Sequence, residues 1–245
     1  MKLHFEERGQ GPPVVLLHGF TGCAADWHAL LPLLPSGRRY LIPDLRGHGR
    51  SFDPEGAARP YTHRQAALDV WKLIDSLGIE GPVSACGVSG GAMALLHMAT
   101  QLPDRLRSMV LVSATTHYPP EARQIMAASP QAEDQPEEAW AEMRAKHPGG
   151  DAQIRALWRQ ARAFGEDTFD MSFKASDLEA IEADTFLVHG DRDPLFPVEI
   201  PTAMYRAIPK SSLWIIPGGG HVPIFGSSLS LFFMLASEHL AGSDS

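Results

Sequence analysis

The stretch Val83-Ser84-Ala85-Cys86-Gly87-Val88-Ser89-Gly90-Gly91-Ala92-Met93 decides how this chain folds. Val83 to Val88 is a short apolar run of the kind that forms a strand buried on both faces. Gly90 to Gln101 reads as a helix and stops at Leu102-Pro103, because a proline disfavours helical backbone in the residue before it. Between them lies Gly87-Val88-Ser89-Gly90-Gly91, a G-x-S-x-G pattern. A chain that turns from strand to helix over one residue needs small neighbours, so that this residue can take a strained conformation. The turn lifts the Ser89 hydroxyl to the carboxyl end of a sheet, where open α/β sheets carry their sites. A glycine-rich turn kept only for tight packing is the competing reading.

Outward from this turn, Val14 to Leu17, Tyr40 to Ile42, Met109 to Val112, Phe186 to Val188 and Leu213 to Ile216 repeat the apolar run. Leu3 to Glu7 supplies one more candidate strand. Strands alternating with helical patterns predict an α/β fold, a mostly parallel sheet of about seven strands with helices on both faces. Thr62 is a plausible N-cap for a helix carrying Ala66, Val70, Leu73, Ile74 and Leu77 on one face and ended by Gly78. Leu229 to Leu240 reads as the last helix, with a frayed tail from Ala241. The alternation breaks between Tyr118 and Asp184, where helical segments are punctuated by Pro119-Pro120, Pro136 and Pro148-Gly149-Gly150. That is too long for a simple crossover. It reads as a helical insertion over the sheet, with extra helices packed at the edge of the core as the alternative. The expected division is a core of residues 1–117 and 185–245 and an insertion of residues 118–184.

Composition bounds the partners. The chain has 245 residues, 44% hydrophobic and 20% charged, and a formal net charge of −8. That length suits one large domain or two small ones, and folding can bury roughly 70–75% of the unfolded surface. An acidic balance with no basic cluster beyond Arg38-Arg39 argues against nucleic acid and anionic membranes. No run reaches the ~18 apolar residues of a membrane span. The segment Lys2 to Arg8 has no apolar core and is not read as a signal peptide, so a cytoplasmic protein is expected. Cys23 and Cys86 are two, too few for a disulfide framework, and read as small buried hydrophobes. Asp44 and His48 are close in sequence but lack a third ligand, so neither metal nor cofactor is expected. A small-molecule substrate is the expected partner; monomer and homodimer both stay open.

A serine hydroxyl needs a base, and the base an orienting carboxylate. In this kind of fold the order is Ser, acid, His. Six histidines follow Ser89: His97, His117, His147, His189, His221 and His239. His221 alone lies in a loop just past the final strand, in Pro217-Gly218-Gly219-Gly220-His221-Val222-Pro223, where glycines free the backbone to aim a side chain. The acid is expected after the penultimate strand, in His189-Gly190-Asp191-Arg192-Asp193-Pro194. Asp193 is favoured, with Asp191 expected to cap the turn through its own backbone. Donors for a developing oxyanion are expected from the backbone N–H groups of Gly90, at a helix N-terminus, and of Phe20, in His18-Gly19-Phe20-Thr21-Gly22.

Leu17-His18-Gly19-Phe20, Asp44-Leu45-Arg46-Gly47-His48-Gly49-Arg50-Ser51, Gly87 to Gly91, Gly190-Asp191-Arg192-Asp193 and Gly220-His221 together resemble the α/β-hydrolase superfamily, in the family's order and over nearly the whole chain. The resemblance implies a triad of Ser89, Asp193 and His221, oxyanion donors at Phe20 and Gly90, a cap formed by the insertion, and a structural role for Asp44 to Ser51. Two departures stand out. The family's usual first strand is not seen, and Gly90 stands where Met, Leu or Gln is commoner, which widens the pocket floor. Within the family, a serine nucleophile argues against the haloalkane dehalogenases and epoxide hydrolases, which use aspartate. Phe20 departs from the second glycine of prolyl aminopeptidase relatives, Phe20-Thr21 from the Trp-Pro of cofactor-free haloperoxidases, and Val88 from the asparagine of many carbon–carbon bond hydrolases. Esterase, lactonase or thioesterase activity on a small, largely apolar substrate is expected. Carbon–carbon bond hydrolysis, a lyase reaction of menaquinone-pathway type, and a small-molecule receptor are the alternatives. Met126, Trp140, Trp158 and Phe164 are candidates for an apolar acyl pocket, against a simpler role as hydrophobic core between helices.

Overall fold

The apolar runs all become strands. In the computed structural model, which describes residues 1–53 and 61–241, these are β1 (Phe5–Arg8), β2 (Pro13–Leu17), β3 (Arg39–Pro43), β4 (Val83–Val88), β5 (Leu106–Val112), β6 (Asp184–Gly190) and β7 (Ser211–Ile216). They form one sheet in the order β1-β3-β2-β4-β5-β6-β7. β1 runs antiparallel to β3 and the remaining pairs are parallel. Successive side chains of a strand point to opposite faces, and the core divides accordingly. Val15, Leu17, Met109 and Leu111 enter an apolar cluster with Ala66, Val70, Ile74 and Leu95. Val14, Leu16, Val110 and Val112 enter another with Trp27, Phe232 and Phe233. Cys86 is packed in the second cluster, where burial pushes its thiol up to about 12. Cys23 is buried too, and neither forms a disulfide.

The helices are α1 (His63–Ser76), α2 (Gly90–Gln101), α3 (Pro120–Ala128), α4 (Glu137–Lys146), α5 (Gly150–Ala163), α6 (Ala175–Glu179), α7 (Glu199–Ala207) and α8 (Leu229–Ala241). Thr62 caps α1, its hydroxyl accepting from Gln65 N at 3.1 Å. α7 was hidden in the sequence by Pro201, which the structure places in the first turn, where a missing N–H breaks no helical bond. Helices α3 to α6 occupy the chain between β5 and β6, with a single isolated bridge, His117 to Ser172, among the described residues. They keep an apolar cluster of their own around Trp140, Met143, Ile154, Leu157 and Trp158. The tail read as frayed lies, beyond Ala241, outside the described residues.

Candidate active site

Ser89 is the hinge between β4 and α2, with φ +50° and ψ −115°, backbone that an L-residue enters only at a cost of about 1–3 kcal/mol. Packing holds it there. A Cβ on Gly91 would stand 2.5 Å from Leu17 O and 2.6 Å from His18 O, so only glycine lets the start of α2 press against the end of β2. Ser89 N donates to Val112 O at 2.8 Å, which ties the turn to the next strand.

His221 Nε2 lies 2.9 Å from Ser89 Oγ, and His221 Nδ1 lies 2.8 Å from Asp193 Oδ2. The other carboxylate oxygen of Asp193 accepts from Leu195 N at 2.8 Å and Phe196 N at 3.2 Å. Burial raises the Asp193 carboxyl, but the bond and charge of His221 and those two amides outweigh it and hold the group below its ordinary value. A carboxylate can only accept, so Nδ1 carries a proton and Nε2 is left with a lone pair toward the serine hydroxyl. Asp191 does not cap its own turn as expected. Its Oδ1 accepts from Gly218 N at 2.6 Å, clipping the acid loop to the loop that carries His221. His189 stands behind the acid, Nε2 donating to Phe196 O at 2.7 Å.

Phe20 and Gly90 are brought together as well. A Cβ on Gly90 would meet Phe20 N at 3.1 Å, and Gly90 opens α2, where an N–H has no intrahelical partner. Three buried histidines lock the loop beneath. His18 Nε2 accepts from Leu45 N at 3.0 Å and its Nδ1 donates to Gly19 O at 2.8 Å. His48 Nε2 accepts from Thr21 N at 3.1 Å and its Nδ1 donates to Arg46 O at 2.9 Å. His147, at the end of α4, accepts from Gly49 N at Nδ1 and donates to Thr21 O at Nε2, both at 3.0 Å. Burial lowers all three below the ordinary histidine value, His48 most clearly, so each serves as a neutral donor–acceptor clip. Asp44 accepts from Ala24 N at 2.7 Å and Arg50 N at 2.9 Å, the structural part the resemblance implied for its loop.

Among the described residues, four other than glycine take positive φ: Thr21 (67°), Ser89 (50°), Ser113 (53°) and Val222 (58°). Thr21 follows Phe20, and Val222 follows His221. Ser113 Oγ accepts from Val222 N at 3.1 Å. The strain is gathered around one place, as strain at functional sites is.

A cavity of about 310 Å³ opens on Ser89 and His221, walled by Phe20, Met93, Tyr118, Met126, Phe164, Leu195 and Phe196. Met126 and Phe164, two of the candidates, line this cavity. Trp140 and Trp158 do not. They pack edge to face, ring centres 4.6 Å apart, inside the apolar cluster that α4 and α5 share with Ala132. Sequence reasoning missed His63, the first residue of α1, which also lines the cavity, and Asp170, which holds it. They lie 107 positions apart and no motif joins them. Among the described residues no group of three or more His, Cys, Asp or Glu side chains could hold a metal ion, and no helix is long and apolar enough to cross a membrane.

Residues 12–139 match the sequence profile of the alpha/beta hydrolase fold. An epoxide hydrolase from Siraitia grosvenorii is 38% identical over 114 residues, 46% of this chain, which spans only 35% of that protein's length. A pimeloyl-[acyl-carrier protein] methyl ester esterase from Nitrosomonas europaea is 26% identical over 243 residues, covering 90% of this chain and 93% of its own. Among solved structures, a thermophilic esterase from Thermogutta terrifontis superposes with a TM-score of 0.73 at 26% identity, covering 97% of this chain and 94% of its own.

Proposed function

The chain belongs to the alpha/beta hydrolase family, and from that premise we propose that it is a serine hydrolase cleaving a carboxylic ester-type bond, an ester, lactone or thioester, of a small, largely apolar substrate. The observation that carries this reading is the line Ser89–His221–Asp193, bonded at 2.9 and 2.8 Å, at the mouth of an apolar cavity. His221 Nε2 takes the Ser89 proton as Oγ attacks the carbonyl carbon. The negative oxygen of the tetrahedral intermediate is met by the N–H groups of Phe20 and Gly90. His221 then gives its proton to the leaving group, and the Ser89 acyl ester forms. Water enters, loses a proton to Nε2 and attacks the acyl carbon; the proton returns to Oγ as the acid leaves. Asp193 keeps the imidazole in one tautomer and offsets its charge while it is protonated. Residues 118–184 act as the cap, with Met126 from α3 and Phe164 just past α5 supplied to the acyl pocket. The esterases among the relatives support the ester class. The aspartate that epoxide hydrolases use is replaced here by Ser89.

A serine-directed organophosphonate is expected to add its phosphonyl mass to Ser89, and p-nitrophenyl esters of graded chain length to be turned over. Ser89→Ala should lose about 10⁴-fold or more in kcat. No adduct on Ser89 together with no turnover of any ester would sink the reading.

A further inference from the structure

Three of the buried histidines near the site, His18, His48 and His147, commit both ring nitrogens to backbone partners. His63 does not. Its Nδ1 lies 2.8 Å from Asp170 Oδ2, while Asp170 also accepts from His63 N at 2.5 Å and Arg64 N at 3.0 Å. The ring is stacked on Phe164, centres 5.1 Å apart and 29° from parallel, with Tyr61 edge-on at 5.1 Å. Among the described residues Nε2 has no hydrogen-bond partner. It reaches to 3.6 Å from the point where a Cβ on Gly90 would stand, the same point that lies 3.1 Å from Phe20 N.

We infer that His63, held by Asp170, forms a polar subsite next to the carbonyl pocket that accepts a hydrogen bond from a hydroxyl on the acyl part of the substrate, one or two carbons from the carbonyl. The inference rests on the serine-hydrolase reading. Its logic is one of donors and acceptors. Burial raises the Asp170 carboxyl, but the hydrogen bonds from the His63 ring and from the backbone N–H groups of His63 and Arg64 work against it, and the group is held below its ordinary value as a carboxylate. A carboxylate takes the proton of Nδ1–H, so the lone pair of the ring is left on Nε2, which welcomes O–H where it would repel an ether or carbonyl oxygen. Met93, Met126, Phe164 and Leu195 offer a hydroxyl no oxygen or nitrogen partner, and of the cavity's hydroxyl-bearing residues Thr21, Tyr118 and Ser129, Tyr118 already donates to Met93 Sδ. Gly90 completes the device. With any side chain there, the gap between Nε2 and the carbonyl pocket would be filled.

The subsite is tested by hydrolysis of ethyl butyrate, ethyl 2-hydroxybutyrate and ethyl 3-hydroxybutyrate, followed by acid release, with organophosphonate labelling of Ser89 run alongside. The native protein is expected to favour at least one hydroxy ester over the butyrate by about tenfold in kcat/KM, the scale of a buried polar group satisfied rather than stranded. His63→Phe should bring that ratio to one or below. Gly90→Met, which leaves His63 and Asp170 in place, should do the same and guards against a misfolded His63 variant. His63→Gln, which keeps an acceptor, should recover part of the preference. A native ratio of one or less, a ratio untouched in both His63→Phe and Gly90→Met, or no turnover of any of the three esters overturns the subsite. If Ser89 is still labelled in that event, the hydrolase reading survives it; if Ser89 is not labelled, both fall together.

Discussion

Asp191 and Asp193 sit two positions apart in one loop and reach different partners: Gly218 N for the first, His221 Nδ1 for the second. Asparagine at 191 can still accept the Gly218 N–H through its side-chain oxygen, so Asp191→Asn is expected to keep kcat within about tenfold. Asp193→Asn presents an amide that either turns its oxygen to Nδ1 with no charge or offers N–H to a ring nitrogen that must then give up its proton. A loss of about 10³–10⁴ in kcat is expected, by analogy with the same change in serine proteases. Steady-state ester hydrolysis of the two variants decides it, and the reverse ranking would exchange their roles. At this scale the sequence spoke where chemistry restricts residue type and order. Ser89, Asp193 and His221 each sit in a loop whose glycines or proline mark a special backbone. His63 and Asp170 carried no such mark, since a histidine opening a helix and an aspartate in a long loop are ordinary in any protein. Trp140 and Trp158 carried both readings, pocket wall and core between helices, because an aromatic in a helix looks the same whether it faces a cavity or a neighbouring helix.

Between elements, the joint that matters most is that of α4 and α5 with the Asp44–Ser51 loop. Gln153 is fully buried; its Nε2 donates to Gly47 O and Gly49 O, both at 2.9 Å, and its Oε1 accepts from Gly149 N at 2.8 Å. Replacing it removes the side-chain partner of three backbone groups, of which Gly49 O is buried. Gln153→Ala is expected to lower the free energy of unfolding by about 2–4 kcal/mol, read as a shift in the urea midpoint. Gln153→Leu, close in volume, should be no better, because the loss is of hydrogen bonds and not of packing. Recovery of stability in Gln153→Leu would show the opposite. The strands were legible because a strand covered on both faces is apolar at every position. The fit of α4 and α5 onto a distant loop was not, because a polar contact between segments about a hundred positions apart leaves no periodic trace.

Across the whole molecule, buried histidines set the response to acid. Burial lowers His18, His48, His147 and His189 below the ordinary 6.5, and His97 to about 4. A depressed histidine stays neutral in the fold while the unfolded chain binds protons, so the stability present above pH 6.5 is lost as pH falls below it. Asp170 and Asp193, held below the ordinary 3.8, lose their contribution only as pH falls further, through their folded values. Thermal unfolding is therefore expected to shift downward by more than about 5 °C between pH 7 and pH 4.5, before the carboxylates take part. A flat profile over that range would mean that these histidines are charged in the fold.

The backbone strain at Thr21, Ser89, Ser113 and Val222 bears on how such a protein changes over generations. Glycine takes positive φ freely, whereas alanine does not, so Ser89→Gly should unfold at a higher temperature than Ser89→Ala, by about 1 kcal/mol at equal loss of the hydroxyl. Thermal melts of the two side by side measure it. A lineage selected for heat resistance alone is thus drawn toward glycine at the nucleophile itself, as at the residue after its base. The best-surviving molecules of that lineage would be inert, and only a demand for turnover in every round keeps a side chain where the backbone resists one.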